Sequence, residues 1–150
     1  MPEVVELWRE QFSASLRSHM PPDFPEVVTL CGSTRFADAF RDALRDETLK
    51  GKIVLSVGLL GHAEGIDMAG PIKKELDELH FRKIEMSDCI LVISKGGYVG
   101  HSTRNEIAHA TKRGKIIRWL EESAKENYYA LAKGEEAKRI DHSKDEGVAR

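Results

Sequence analysis

Four short apolar runs, rich in β-branched residues, alternate along the chain with stretches of helical periodicity. Runs of this length and composition are typical of buried strands, and they are residues 27–31, 53–57, 89–93 and 115–120. Helical spacing follows the first strand and recurs at residues 71–86, 105–114 and 121–133. Strands that alternate with helices indicate βαβ units. We therefore predict an α/β fold, a Rossmann-like or flavodoxin-like three-layer sandwich with a parallel sheet of at least four strands.

Both ends differ in pattern from this central body. Apolar residues at Val5, Trp8, Phe12 and Leu16 form one helical stripe, which predicts a helix over about residues 2–20. Three prolines then make a stiff connector. We expect three regions: an N-terminal helix and connector at 1–25, an α/β domain at 26–120, and a C-terminal helix with a polar tail at 121–150.

Composition narrows the classes of function. The 150 residues carry 23 Lys and Arg against 25 Asp and Glu, and this balance argues against a nucleic-acid polymer as partner. No apolar run approaches the roughly 18 residues of a membrane span. The N-terminus lacks the apolar stretch of a signal peptide. We expect a cytoplasmic protein in which Cys31 and Cys89 are reduced, buried and structural.

Ligands of parallel α/β sheets bind beyond the carboxyl ends of the strands, where three loops fall, at 32–35, 58–70 and 94–103. The glycine-rich loop 58–70 is long enough to be a functional candidate. His62 and Asp67 in that loop could approach a ligand, but nothing in their spacing fixes a metal site. We expect no metal and no cofactor.

The first of these loops is a candidate anion site. Gly32 permits close approach of a ligand, Ser33 or Thr34 could cap the following helix, and its free N–H groups favour an anion. Arg35 adds a bidentate donor for phosphate. An ordinary βα turn with a helix cap explains the same residues. Neither a full GxGxxG nor a Walker A pattern is present, which disfavours dinucleotide and P-loop sites.

The loop after the third strand leads to Glu106. A carboxylate near a helix N-terminus is stabilised in its ionised form, which suits a nucleophile or an anchor for a hydroxyl group. Thr103 and Glu106 also fit the T-x-x-E capping box, and the residues alone do not decide between these readings. Ser102 lies one turn earlier on the same face. Tyr98 is expected to be an exposed aromatic that stacks on a base, or else a plain surface tyrosine.

Asp77 and His80 lie three residues apart on the predicted helix 71–86. They could act as a base and its orienting partner or as a proton relay, and an ordinary solvated helix flank is the alternative. His80 lies nearer the apolar arc, so we expect it to be partly buried. Asp88 precedes the third strand at the opposite edge of the sheet, where a cap or turn role is expected.

Four segments together resemble the nucleoside 2-deoxyribosyltransferase-like superfamily, close to its 2′-deoxynucleoside 5′-phosphate N-hydrolase branch. They are VTLCGSTRF, LDELHFRKIEMSDCILVI, GYVGHSTRNEIAHA and GKIIRWLE. The resemblance covers about residues 27–120. It implies cleavage of the N-glycosidic bond between a base and a 2-deoxyribose, with a glutamate at the position of Glu106 forming a glycosyl-enzyme intermediate. It also implies a 5′-phosphate at residues 32–35 and a homodimer with its sites near the subunit interface.

The chain departs from this superfamily at one position. The aspartate that assists protonation of the leaving group falls at His80, with Asp77 one turn earlier. Either His80 has taken over the role, or Asp77 reaches in by a shifted register, or the chemistry differs.

These observations define one expected site and two alternatives to it. Glu106 would be the nucleophile and His80 with Asp77 would handle the proton. The substrate-binding residues would be Gly32, Ser33, Thr34, Arg35, Tyr98, Gly100 and Ser102. One alternative is a non-catalytic nucleotide-binding or sensing domain. The other is an interaction protein that uses its N-terminal helix and charged tail.

Overall fold

The computed structural model describes residues 3–7, 16–57 and 70–134. A four-stranded, all-parallel sheet forms its centre, with strands β1 (Val27–Gly32), β2 (Ile53–Leu55), β3 (Cys89–Ile93) and β4 (Ile116–Trp119). The helices between and after the strands are α1 (Ala37–Leu49), α2 (Pro71–Met86), α3 (His101–Lys112) and α4 (Glu122–Ala132). The predicted α/β class with four parallel strands is confirmed.

The strand order β2-β1-β3-β4 places a topological switch point between β1 and β3. The chain leaves β1 toward β2 on one side and later leaves β3 toward β4 on the other side. Because the two connections diverge, the carboxyl ends of β1 and β3 flank a crevice, which is where such sheets bind ligands. Cys31 pairs with Val92 and Gly32 pairs with Ile93 at this end of the sheet.

Side chains of β1 alternate between two separate cores. Val28 and Leu30 pack against Phe40 of α1 on one face of the sheet. Cys31 belongs to the other core, in which it packs with residues of α2, α3 and α4. The alternation of a β-strand therefore directs Cys31 toward the helices α2 and α3.

Several boundaries differ from those predicted. The strands β2 and β4 are shorter than their apolar runs by two residues each. Helix α3 begins at His101 rather than at residue 105, because the extended backbone of Gly100 supplies the N-cap. Residues 3–7 are helical as expected, but Arg17–His19 form a 3₁₀ helix rather than the end of a long α-helix.

Asp88 has a structural role, but it joins two segments of the chain rather than capping a helix or closing a turn as predicted. Its carboxylate accepts a hydrogen bond from the Val27 N–H at 2.8 Å and one from Arg17 Nε at 2.7 Å. This pair joins the segment before β1 to the amino-terminal edge of the sheet. A cavity of about 220 Å³ lies at the same edge, and its lining is mainly apolar. Because Arg17 and Asp88 pair with each other and the cavity walls are mainly apolar, we assign no catalytic role to this cavity.

The apolar arc of helix α2 was expected to face the core, but much of it is exposed. Ile72, Leu79 and Met86 are each about half exposed, whereas His80 and Ile84 face the interior. The helical spacing was predicted correctly, but the buried face is set by contact with β1 and α3 rather than by the apolar arc.

Some predictions concern residues outside the described ranges. These are the central part of the N-terminal helix with Trp8 and Phe12, most of the glycine-rich loop with His62 and Asp67, and the polar tail from residue 135. In the part of the chain that is described, no helix combines the length and the apolar character that crossing a membrane requires.

Glu121 fixes the loop between β3 and α3. Its carboxylate accepts hydrogen bonds from the Ser94 hydroxyl at 2.8 Å and from the N–H groups of Gly96 and Gly97 at 3.2 and 3.1 Å. Asn127 of α4 donates to the Gly97 carbonyl at 2.8 Å. Hydrogen bonds from Gly97 and Ser94 hold the pKa of Glu121 below its ordinary value. The loop is thus tied to the segment that follows β4.

We predict that Glu121→Gln destabilises the protein by about 1 kcal/mol at pH 7, because a neutral amide accepts these bonds less strongly. The folded-state pKa is lowered, so the contribution of the carboxylate is present above the unfolded-state pKa of about 4.3 and is lost as the pH falls through the folded-state value. Urea unfolding at pH 7 and pH 3.5 measures both effects. Glu122→Gln, on the exposed neighbour, is the matched control. An equal loss of unfolding free energy at both pH values would show that the ionised Glu121 carboxylate does not provide this stabilisation.

Candidate functional site

Three polar side chains meet in the interior beneath the carboxyl edge of the sheet. They are Cys31 of β1, His80 of α2 and Glu106 of α3, and all three are buried. The Cys31 Sγ lies 3.5 Å from His80 Nε2, and His80 Nε2 lies 3.9 Å from Glu106 Oε2. A potential ligand atom of each side chain lies within 4.8 Å of those of the other two.

The fold explains why these three residues converge. Strand alternation turns Cys31 toward α2 and α3, and these two helices pack against each other and against β1. The Thr29 hydroxyl, two residues earlier on the same strand face, donates to the Lys83 carbonyl of α2 at 3.1 Å. This bond holds α2 against β1 one turn from His80. The predicted partial burial of His80 is confirmed, and its exposed fraction is 6%.

The Cys31 thiol is protonated at neutral pH. Burial, followed by the neighbouring Glu106 carboxylate, raises the pKa of this thiol well above its usual value. A protonated thiol is a poor nucleophile, so the chemistry of the cluster in this state belongs to the carboxylate and the imidazole.

Glu106 is the member of the cluster that reaches a surface pocket. This cavity of about 180 Å³ lies between α2 and α3, and its lining residues are Lys74, Asp77, Glu78, Phe81, Ser102, Asn105 and Glu106. Cys31 and His80 lie behind Glu106 and are not among these residues. Glu106 thus borders the pocket on one side and lies near Cys31 and His80 on the other.

Asp77 lies in the pocket wall and is held by a lysine. The Lys73 ammonium lies 2.6 Å from Asp77 Oδ2 and 3.4 Å from the Ser102 hydroxyl. This contact bridges α2 to the first turn of α3. The structure therefore brings Asp77, Ser102 and Glu106 to one pocket, as the sequence predicted.

The capping-box alternative for Glu106 is wrong. The N-cap of α3 is Gly100, so Thr103 lies inside the first turn of the helix, where it is buried. Glu106 is in the second turn, and its carboxylate turns inward to His80. At that position the helix dipole contributes little, because its effect falls off within the first turn.

The loop after β1 is built differently from the prediction. Gly32 is required by packing, since a Cβ there would lie 2.4 Å from the Ile93 carbonyl oxygen of β3. Neither Ser33 nor Thr34 caps α1, whose N-cap is Phe36 without a side-chain hydrogen bond. The Ser33 Oγ instead accepts a hydrogen bond from the Arg35 N–H at 3.4 Å.

Tyr98 is buried, which corrects the expectation of an exposed ring. Its exposed fraction is 8%, and it packs edge-on against Phe36 with ring centroids 6.0 Å apart. The Arg35 guanidinium lies over the Tyr98 ring, 4.0 Å from its centroid. Gly100 leaves room for this ring, because a Cβ there would lie 2.8 Å from the Tyr98 hydroxyl oxygen. Tyr98 therefore supports Arg35 rather than offering a free face for a base.

The predicted site residues thus form two groups. Glu106, Asp77 and Ser102 share the pocket, with His80 behind them. Arg35, Tyr98 and Gly100 form a second group at the ends of β1 and β3. Among the described residues that line the pocket, none belongs to this second group. Cys31 links the two, because it contacts His80 and directly precedes Gly32.

Sequence reasoning missed two contributors. Cys31 was assigned to the core as a small apolar residue, although its period-two relation to Thr29 could have placed it on the α2 side of the sheet. Lys73 lies four residues before Asp77, and this helical spacing is the signal that predicts their ion pair.

Comparison of the chain with family models, curated proteins and solved structures found no match in any of the three.

We predict that Gly100→Ala lowers stability by about 1–3 kcal/mol, because the new methyl group overlaps the Tyr98 hydroxyl oxygen. Tyr98→Phe removes that atom, so the double variant should recover part of the loss in a double-mutant cycle. Gly32→Ala should cost more, and Tyr98→Phe should not relieve it, because that methyl group meets the backbone of β3. Denaturant unfolding of the five variants checks this, and strictly additive costs for Gly100→Ala and Tyr98→Phe would contradict it.

Proposed function

We propose that the protein cleaves or transfers the N-glycosidic bond of a (deoxy)nucleoside or nucleoside 5′-monophosphate, with Glu106 as the nucleophile. The observation that carries the proposal is the placement of the Glu106 carboxylate. Glu106 is buried, its Oε2 lies 3.9 Å from His80 Nε2, and the residue lines a pocket together with Asp77 and Ser102. The resemblance of residues 27–120 to the nucleoside 2-deoxyribosyltransferase-like superfamily independently assigns the nucleophile to the same residue.

The proposed reaction has two steps. A Glu106 carboxylate oxygen attacks the anomeric carbon, the C–N bond breaks, and its electron pair leaves with the base, which takes up one proton. Water or a second base then attacks the anomeric carbon and releases the glutamate. Water yields free sugar and returns a proton to the site, whereas a second base yields a new nucleoside. Burial of Glu106 favours this chemistry, because water competes less for its charge.

Asp77 is the proposed group for the proton that reaches the leaving base. It lines the pocket, and Lys73 holds it within reach of Ser102. His80 contacts Glu106 from the interior side and is proposed as a positioning residue that orients the carboxylate. This division of roles accommodates the replacement of the superfamily aspartate by His80.

The pocket volume suits the sugar rather than a whole nucleotide. About 180 Å³ is below the roughly 300–1,000 Å³ typical of sites for drug-sized ligands. The base and any 5′-phosphate would extend beyond it. We propose that residues 32–35 receive the phosphate, because the Arg35 guanidinium lies 4.0 Å from the Tyr98 ring centroid and its planar fork of N–H donors suits a phosphate. A cytoplasmic homodimer is part of the same proposal.

We predict that Glu106→Gln lowers release of free base by roughly a thousandfold or more while binding of the ligand persists. The amide has nearly the same shape but is a far weaker nucleophile. Purified protein is incubated with a panel of nucleosides and nucleoside 5′-monophosphates, and chromatography quantifies the base. Glu75→Gln, which changes an exposed carboxylate of α2, is the matched control and should leave turnover unchanged.

Full turnover in Glu106→Gln would show that the nucleophile is assigned wrongly. Binding of a nucleotide without release of base by the wild-type protein would instead favour the non-catalytic nucleotide-sensing alternative. Calorimetry on the same panel supplies the binding measurement.

Arg35→Lys should raise KM for nucleoside monophosphates by about tenfold and leave KM for the parent nucleosides nearly unchanged. Lysine keeps the charge but loses the flat, bidentate donor that rests on Tyr98. Arg41→Lys, in an exposed ion pair with Asp38 on α1, is the control. An equal change in KM for nucleosides and for nucleoside monophosphates would show that this loop does not bind the phosphate.

A further inference from the structure

Cys31, His80 and Glu106 supply three different donor atoms to one buried point. The ligand atoms, one thiol sulfur, one imidazole nitrogen and one carboxylate oxygen, lie within 4.8 Å of one another. Each comes from a separate element, β1, α2 or α3, and these elements are packed together in the core. Groups of exposed carboxylates are common on protein surfaces without a bound ion. This cluster differs from them because its three residues are buried and offer sulfur, nitrogen and oxygen donors.

Two of the three donor separations are close to those around a tetrahedral ion of the zinc class, and the third, between Cys31 and Glu106, lies within 4.8 Å. With bonds of about 2.3 Å to sulfur and 2.0–2.2 Å to nitrogen and oxygen, neighbouring donors around such an ion lie about 3.3–3.6 Å apart. The distance from Cys31 Sγ to His80 Nε2 is 3.5 Å, which already fits. The distance from His80 Nε2 to Glu106 Oε2 is 3.9 Å and must close by about half an ångström, a small rotation of a glutamate side chain.

The donor set also selects the metal. Thiolate and imidazole ligands favour zinc and related transition metals, whereas magnesium and calcium favour sites made of oxygen atoms. A single carboxylate beside sulfur and nitrogen is therefore a poor site for the hard cations. Because Glu106 also lines the pocket, a fourth ligand such as water would reach the ion from that side.

We propose that Cys31, His80 and Glu106 bind one divalent ion of the zinc class and that the ion blocks the use of Glu106 in bond cleavage. On binding, the Cys31 thiol gives up its proton to solvent and its sulfur becomes a thiolate ligand, while the metal keeps its oxidation state. The second half of the proposal rests on the proposed function, since it needs Glu106 as the nucleophile. The first half does not.

Metal binding is measured on the untagged full chain after removal of metals by a chelator. Zinc affinity is obtained by competition with a chromophoric chelator, and cobalt(II) serves as the spectroscopic probe. We expect one ion per chain and a thiolate-to-cobalt charge-transfer band. Cys31→Ser should abolish the band, and Cys31→Ser and Glu106→Gln should each weaken zinc affinity by roughly a hundredfold or more.

Cys89→Ser is the matched control, because Cys89 is the other buried cysteine and lies in the opposite core, where its thiol contacts Glu26. It should leave the band and the affinity unchanged. Zinc should also raise Tm of the wild-type protein and of Cys89→Ser but not that of Cys31→Ser. His80→Gln keeps the test decisive if Cys31→Ser folds poorly, since loss of the imidazole should also weaken zinc affinity.

Absence of a stoichiometric ion, absence of the thiolate band, or equal effects of Cys31→Ser and Cys89→Ser would overturn the metal site. Inhibition of base release by zinc in the wild-type protein, with the inhibition constant matching the measured affinity, would support the blocking role. Tight zinc binding together with undiminished base release would overturn that role alone. Failure of the proposed function is distinguishable, because zinc would then bind to a protein that releases no base.

Discussion

A carboxylate that is removed from water needs polar groups in fixed positions around it, and the buried Glu106 imposes this requirement on the elements that surround it. Taking a charge out of water is costly unless other polar groups replace the lost hydration. Here Cys31 of β1 and His80 of α2 approach Glu106 from the interior, while Glu106 also lines a pocket. This arrangement requires β1, α2 and α3 to hold fixed relative positions, so the demands of the site and of the core coincide.

Sheet topology makes that arrangement available. The switch point between β1 and β3 opens the carboxyl edge of the sheet, and both α2 and α3 begin near that edge before packing against β1. On the other side of the crevice, Glu121 ties the β3–α3 loop to the start of α4, and Arg35 rests on the buried Tyr98 ring. The loops at the carboxyl ends of β1 and β3 are therefore supported by contacts from several elements.

The fold could be predicted from the sequence because its signals are strong and local. Four β-branched runs alternate with helical spacing, and few folds satisfy that order. Boundaries depended on weaker signals: Thr103 and Glu106 match a capping box, but the preceding Gly100 supplies the cap of α3 instead. The buried face of α2 was harder to predict. Its apolar residues Ile72, Leu79 and Met86 are half exposed, whereas its inward-facing side includes the polar His80. Cys31 is free and buried as predicted, but its contact with His80 could not be predicted because the two residues are 49 positions apart along the chain.

The proposed covalent bond between Glu106 and the sugar can be detected by intact-mass measurement of acid-quenched protein. During turnover of a nucleoside or nucleotide that releases base, we expect an added mass equal to the sugar, or sugar phosphate, without the base. Peptide mapping should place it on Glu106, and Glu106→Gln should show none. Release of base at full rate without such an adduct in the wild-type protein, or an adduct on another residue, would contradict the account.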